Sequence, residues 1–470
     1  MDGSREAASS DELDERANIE GDDANLPGAC VSVEKRFSDG GKDKPPFTPP
    51  SPEPESRLRC SIGRHLPKAL PMTLPARHPQ KGQPVDGQSL LENVSLPAAV
   101  IFDAALTHNI AWMQRFADDH GAQIAPHGKT TMTPALFRRQ LDAGAWGITL
   151  ATAVQCAAAF EHGVTRLLMA NQLVGRPDMA TVADLIARGA DYCCLVDSVA
   201  NVEALNACFG ERHLTLQVLV ELGVPGGRCG VRNDAELKAL VDAIAAAPAL
   251  ALCGIEGYEG LIGGEHTVDK VRSYGQQLVD TMRTLRSAGA FAERTPIITA
   301  AGSQWFDLVA EAFDRSDLRD HCTPILRPGC YVVHDHRSYR DAMAEVKARH
   351  PELMGELEPA LAVFAHVQSL PEPGLAVVAM GKRDISVDPD LPIPLQLHRP
   401  GEAARPLTGC SVRKVMDQHA MMVIPEGIDL RIGDVVSFGA SHPCLTFDKW
   451  RQVLLVDGDL QVLEAMPTFF

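Results

Sequence analysis

With 470 residues and a net charge of −17, the chain is too long for one compact core and too acidic to offer the basic face that nucleic acid requires. Its 45% hydrophobic and 22% charged residues are those of an ordinary globular protein, no apolar run nears the length of a bilayer span, and no signal-peptide pattern opens the chain. Twelve cysteines without a single Cys-x-x-Cys pair argue against a disulfide scaffold or zinc finger and for a reduced, cytoplasmic protein.

Residues 1–92 read as a disordered tail, acidic at first and then rich in Pro, Ser and Glu from Pro45 to Glu55, with no sustained periodicity. From Leu96-Pro97 onward, short β-rich runs alternate with Ala/Leu-rich helical patterns. The run at residues 98–103 is assigned to a second domain, and a helix over Ala105–His120 leads from it into the first. Eight runs follow: Gln123–Lys129, Gly147–Thr152, Arg166–Gln172, Tyr192–Ser198, Leu216–Leu222, Leu252–Tyr258, Pro296–Gly302 and Ile325–Tyr331. Strands this apolar, separated by amphipathic helices such as Asp234–Ala246 and Val268–Ala288, indicate a parallel sheet, and eight units is the number that closes a (β/α)8 barrel. The barrel is placed at residues 93–340. Beyond Arg340 the runs shorten, Pro and Gly break them and no long helix is expected, so residues 341–470 read as a mostly antiparallel β domain.

Four groups of residues could carry chemistry. Lys129 in Pro126-His127-Gly128-Lys129-Thr130 falls at the carboxyl end of the first barrel strand, where this architecture places its active sites. On an extended strand His127 and Lys129 share a face. A lysine desolvated there loses its charge readily and becomes a nucleophile for carbonyls. Arg228 follows two glycines just beyond the strand Leu216–Leu222. Gly257-Tyr258-Glu259-Gly260 and Thr299-Ala300-Ala301-Gly302-Ser303 are small-residue strand ends suited to a phosphate. His442 and Cys444, two apart, would face the same way on an extended segment, and both ligate zinc; two ligands do not close a structural site, but they suit one that keeps room for a substrate.

Together these residues resemble the pyridoxal-phosphate enzymes of the alanine-racemase fold type, and within it the D-serine dehydratase and D-threonine aldolase group. Its Pro-His-x-Lys-Thr signature is matched at 126–130, and the likeness continues through Ala170-Asn171-Gln172-Leu173-Val174-Gly175, Gly227-Arg228-Cys229-Gly230 and Arg327-Pro328-Gly329-x-Tyr331 to His442 and Cys444. The resemblance implies that Lys129 links covalently to pyridoxal 5'-phosphate, with His127 beside it and Arg228 against the pyridine nitrogen. It implies zinc on His442 and Cys444, where the aldolases typically carry His-x-Asp, so Cys444 favours a dehydratase. Tyr258, Gly302 and Ser303 are candidates for the phosphate end and Tyr331 for the cofactor pocket. Asn171 and Gln172 are candidates for the substrate pocket.

The expected reaction is β-elimination from a D-serine-like amino acid to a keto acid and ammonia. D-threonine aldolase activity is the alternative. A racemase fits less well, since its second acid-base is usually a tyrosine of the β domain and the last tyrosine here is Tyr339. A non-catalytic carrier of the cofactor would be a single barrel. Thr131-Met132 stands where many members have His-Lys, which alters the pocket beside the lysine, and Asp417-Gln418-His419-Ala420 only partly matches its counterpart. A homodimer is implied by the resemblance alone.

Overall fold

The computed structural model describes residues 81–83, 88–292 and 294–470. The tail expected over residues 1–92 lies outside these except at its end, and there the expectation is corrected. Lys81 Nζ donates to Asp384 at 2.8 Å, and helix α1 (Leu90–Asn93) sets a fully buried Leu90 against Val100, Phe364 and Leu454. A leucine that loses all its exposed area ties its segment to the folded unit, so the fold begins before residue 93.

Strand β1 (Ala98–Phe102) does not enter the barrel. It pairs antiparallel with Leu361–Phe364 and parallel with Leu454–Val456. Helix α2 (Asp103–Asp119) then leads into eight strand-helix units. These are β2 (Gln123–Ile124) with α3 (Pro134–Asp142), β3 (Ile148–Leu150) with α4 (Ala153–Glu161), β4 (Arg166–Gln172) with α5 (Arg176–Ala187) and β5 (Asp191–Val196) with α6 (Val199–Gly210). The second four are β6 (Leu216–Leu222) with α7 (Asp234–Ala245), β7 (Leu250–Gly257) with α8 (Thr267–Ser287), β8 (Ile297–Ala300) with α9 (Phe306–Asp314) and β9 (Thr323–Leu326) with α10 (Ser338–Arg349).

The strands run parallel in the order β2-β9-β8-β7-β6-β5-β4-β3, and a parallel bridge from His127 to Thr149 joins the two ends. The expected barrel therefore closes. Strand period explains its filling: Cys193 and Leu195 point inward with Leu168, Leu219, Cys253, Ile297 and Ile325, while Cys194 and Val196 face the helices. Side-chain caps start the helices sharply, with Thr152, Ser198 and Asn233 accepting the N–H groups of Gln155, Asn201 and Glu236.

Two expectations near the ends of this unit need correcting. Strand β2 stops at Ile124, not Lys129, because Pro126 has no N–H for the ladder and the chain winds into a 3-10 turn at Gly128–Thr130. Helix α10 runs through residue 340, where the barrel was expected to end. Its buried stripe is only Ala342, Met343 and Val346 among charged residues, a pattern too thin to announce a helix.

The β domain comprises β10 (Leu361–Glu372), β11 (Leu375–Val378), β12 (Ile393–His398), β13 (Arg405–Pro406), β14 (Ser411–Val415), β15 (Ala420–Val423), β16 (Val435–Gly439), a short helix α11 (Cys444–Phe447), β17 (Gln452–Val456) and β18 (Val462–Pro467). One sheet runs β13-β12-β16-β10-β1-β17-β18, with β11, β15 and β14 continuing from β10. The pairings are antiparallel save β1 with β17. Edge strand β18, absent from the sequence reading, buries only Val462 and Met466 and so shows no full alternation.

Burial in this sheet predicts an acid lability. His398 is 5% exposed, its Nε2 lies 3.1 Å from Ser437 Oγ, and burial holds its pKa at about 4. A folded-state value below the unfolded one means that the stabilising contribution is present above pH 6.5 and is lost as pH falls through about 4. It is worth ~3 kcal/mol. Urea unfolding between pH 7 and 4 is expected to show a flatter stability profile for His398→Gln than for the unsubstituted protein; parallel profiles would remove His398 as the source.

Candidate active site

Lys129 emerges at the carboxyl end of the barrel from the 3-10 turn, exposed at the barrel mouth. Its Nζ makes no hydrogen bond or ion pair among the described residues. Desolvation lowers its pKa from the usual ammonium range, and the guanidiniums of Arg228 and Arg327 lower it further against the opposing thiols of Cys444 and Cys330. The turn is locked from below, since a Cβ at Gly128 would stand 2.7 Å from the Phe137 ring. Because the chain is no longer extended there, His127 and Lys129 are not alternate residues on one strand face. They remain electrostatic neighbours: burial, then Lys129 and Arg327, push the His127 imidazole well below its ordinary range, so it is neutral. Its Nδ1 is buried without a hydrogen-bond partner.

Arg228 lies with its guanidinium carbon 4.6 Å from the centre of the Tyr258 ring. Its loop is held by Arg232, which donates to the carbonyls of Arg228 (2.9 Å) and Cys229 (2.7 Å), and by Asp197, which accepts the Gly230 N–H at 3.0 Å. Arg327, 5% exposed, ties three strand ends together: it ion-pairs with buried Glu256 and donates to Thr299 Oγ1 and the Gly257 carbonyl, each at 2.9 Å. Burial pushes the Glu256 carboxyl up, and the Arg327 charge pulls it back.

At the expected phosphate end, backbone N–H groups converge on oxygen acceptors. Glu259 accepts from Ala301 (3.1 Å) and Gly302 (2.7 Å), and Ser303 Oγ accepts from Gly329 and Cys330, both at 3.1 Å. Ala301 takes a left-handed φ of +74°, which turns these groups toward the carboxylate. Gly302 thus supplies its N–H to an internal anion.

The other candidates each have a hydrogen-bond partner in the scaffold. Asn171 Nδ2 donates to the Ala151 carbonyl at 2.7 Å and Gln172 Nε2 to Glu221 at 2.5 Å, so both amides brace the wall of the mouth. Tyr331 is 2% exposed and its hydroxyl accepts from Gln140 of α3 at 2.9 Å; it turns inward, and its neighbour Cys330 takes the side of the site.

His442 and Cys444 do come together, though not on an extended segment: Pro443 has φ −67° and ψ −40°, and Cys444 opens α11. They are joined by Cys330, unread in the sequence because it fills the variable position of Arg-Pro-Gly-x-Tyr. The Sγ atoms of Cys330 and Cys444 and an imidazole nitrogen of His442 all lie within 4.8 Å of one another. Thr130, next to Lys129, places its Oγ1 3.4 Å from Cys444 Sγ. Asp388 lies 3.7 Å from His442 Nδ1, an electrostatic neighbour that helps raise the imidazole pKa after the larger effect of Cys444. Tyr339 also reaches this cluster, its ring centre 6.2 Å from that of His442, and the Cys330 charge raises its pKa. No spacing in the sequence links Tyr339 or Cys330 to residues more than a hundred positions away.

An unpaired amine and an orphaned buried imidazole nitrogen beside it fit a pyridoxal phosphate. Two thiols and an imidazole fit a soft-accepting divalent metal.

The alanine racemase N-terminal domain matches residues 101–318, and the serine dehydratase domain matches residues 360–456. The two matches fall on the barrel and on the β domain, so the chain joins an alanine-racemase-like barrel to a serine-dehydratase-like β domain. Its relatives are lyases. It is 25% identical over 386 residues to D-threonine aldolase of Arthrobacter sp, covering 81% of this chain and 93% of that one. It is 34% identical over 147 residues to D-threo-3-hydroxyaspartate dehydratase of Delftia sp. strain HT23, covering 31% of this chain and 38% of that one. The fold matches the structure of D-threonine aldolase from Filomicrobium marinum with a TM-score of 0.70 at 24% identity, over 82% of this chain and 98% of the other. A D-threo-3-hydroxyaspartate dehydratase variant with the same fold has been solved in a metal-free form, with a TM-score of 0.66 at 23% identity over 81% of this chain and 99% of the other. No helix among the described residues is long and apolar enough to cross a membrane.

Proposed function

We propose that this protein is a pyridoxal-phosphate and zinc dependent D-amino-acid dehydratase that converts a D-serine-like substrate to a keto acid and ammonia by β-elimination. The observation that carries this reading is one barrel mouth holding both the unpartnered Lys129 amine and the thiol–imidazole cluster, with Thr130 between them. Two relatives are named for action on D-threonine and on D-threo-3-hydroxyaspartate, both amino acids with a β-hydroxyl. The barrel would be the cofactor domain and the β domain would carry His442 and Cys444.

When bound, the pyridoxal ring would supply an electron sink at the α-carbon and zinc a Lewis acid for the β-oxygen. Lys129, whose pKa is lowered from the usual ammonium range, gives up its proton more readily than an ordinary lysine, which suits it to carry the cofactor and to accept the α-proton. Arg228, stacked on Tyr258, keeps its own protons, so it leaves a pyridine nitrogen beside it unprotonated. His127, neutral and unpaired at Nδ1, can face the ring without adding charge. Tyr258, Gly302 and Ser303 would lie at the phosphate end, beside the Gly302 N–H that donates to Glu259 and the Ser303 Oγ that accepts from Gly329 and Cys330. His442 and Cys444 would hold the zinc, and Asp388 would fix the imidazole. The substrate is then a small D-amino acid, and the protein a cytoplasmic homodimer.

Purified protein given D-serine or D-threonine, with and without a chelator, tests the reading. Keto acid and ammonia that disappear on chelation are expected. Glycine plus an aldehyde would instead assign aldol cleavage, the activity of the relative matched over most of its length. No product from either substrate would sink the lyase reading.

A further inference from the structure

The metal group contains one thiol more than the His-x-Cys pair requires. Cys330 comes from the other domain, on the 3-10 turn Cys330–Val332 after β9, and is 4% exposed. Its backbone is fixed: its N–H donates to Ser303 Oγ at 3.1 Å and its carbonyl accepts from His334 at 2.6 Å. Its sulfur stands 3.6 Å from Cys444 Sγ and 3.9 Å from Thr130 Oγ1. Two sulfurs on one tetrahedral zinc, each about 2.3 Å from the ion, are separated by about 3.8 Å. A disulfide would hold them at about 2.05 Å. The observed 3.6 Å is close to the first figure and far from the second, and an imidazole nitrogen within 4.8 Å of both sulfurs offers a third corner.

We infer that Cys330 is a third protein ligand, making this a Cys2His metal centre that bridges the barrel and the β domain and leaves one open position. This rests on the metal-assisted reading above and narrows it. Two thiolates offset the charge of a divalent ion, so the centre polarises a bound oxygen less than a His-Cys pair would. With three corners filled, a tetrahedral ion would have one position left, which the β-hydroxyl oxygen would take. Such a centre selects its substrate by the placement of one hydroxyl at the barrel mouth.

The test uses the full chain with its cofactor, stripped of metal and titrated with cobalt(II). The thiolate-to-cobalt charge-transfer band reports how many sulfurs bind. Cys330→Ser is expected to lose roughly half of its intensity, as Cys444→Ser does, while Cys208→Ser, on helix α6 and outside the cluster, loses none. Competition with a chromophoric zinc chelator is expected to show a weakening of at least about 100-fold for Cys330→Ser. Unchanged cofactor absorbance in each variant confirms that the barrel is folded. A Cys330→Ser protein with unaltered band and affinity overturns the inference but leaves the two-ligand site standing. Failure of the unsubstituted protein to bind either metal overturns both. A Cys330–Cys444 disulfide that forms in the metal-free protein and persists under reductant, seen as a two-dalton mass loss, would also overturn it.

Discussion

Lys129→Ala is expected to lower turnover by about four orders of magnitude or more while leaving the fold intact. The two halves of that expectation have separate causes. Lys129 is exposed and makes no hydrogen bond or ion pair, so truncating it opens no cavity and orphans no partner. Among the described residues, Lys129 is the amine at the barrel mouth whose pKa is lowered, by partial desolvation and by the guanidiniums of Arg228 and Arg327. Lys129→Arg separates a nucleophile from a mere charge, because it keeps the positive charge but cannot link covalently to an aldehyde. Both variants are expected to lack the yellow absorbance of a lysine-linked cofactor. Borohydride reduction followed by peptide mass analysis should locate the label on the peptide holding Lys129 in the unsubstituted protein alone. A reduced adduct on another lysine in Lys129→Ala would overturn the assignment.

The parts legible in the sequence were those that repeat or that sit close together in the chain. Strands β4 and β6 fell where the apolar runs placed them, because each carries consecutive apolar residues buried in the barrel. Lys129 was legible because a short strand, a turn and a helix surround it within one stretch. The illegible parts depend on contacts that no local pattern encodes. Barrel closure through the bridge from His127 to Thr149 is one such contact. Helix α10 hides behind charges such as Asp341, Glu345 and Arg349, the last of which is paired to buried Asp307. Cys330 and Tyr339 gain meaning only when β9 and α10 bring them to His442, more than a hundred residues away. In reverse, Asn171, Gln172 and Tyr331 belong to motifs yet spend their polar groups on Ala151, Glu221 and Gln140. A motif marks a place in the fold; the side-chain partners decide which of its residues face the substrate.

Removal of the metal-binding imidazole should separate binding of the cofactor from expulsion of the hydroxyl. Hydroxide is a poor leaving group, and a Lewis acid on the β-oxygen is the means this site offers to improve it. His442→Ala is expected to slow elimination from D-serine by about three orders of magnitude, with bound zinc lost and the cofactor absorbance at Lys129 retained. Re-adding zinc restores the chelator-treated unsubstituted protein but not His442→Ala. The decisive comparison changes the substrate. β-Chloro-D-alanine carries a leaving group that needs no Lewis acid, so its elimination is expected to fall less than about tenfold in the same variant. Equal losses on both substrates would show that His442 positions the substrate or the cofactor instead of activating the hydroxyl. Asp388 sharpens the distinction, because it lies 3.7 Å from His442 Nδ1 and acts on the reaction only through that ring. Asp388→Asn should therefore weaken zinc binding about 10-fold and depress D-serine turnover more than β-chloro-D-alanine turnover, in the same direction as His442→Ala and by less.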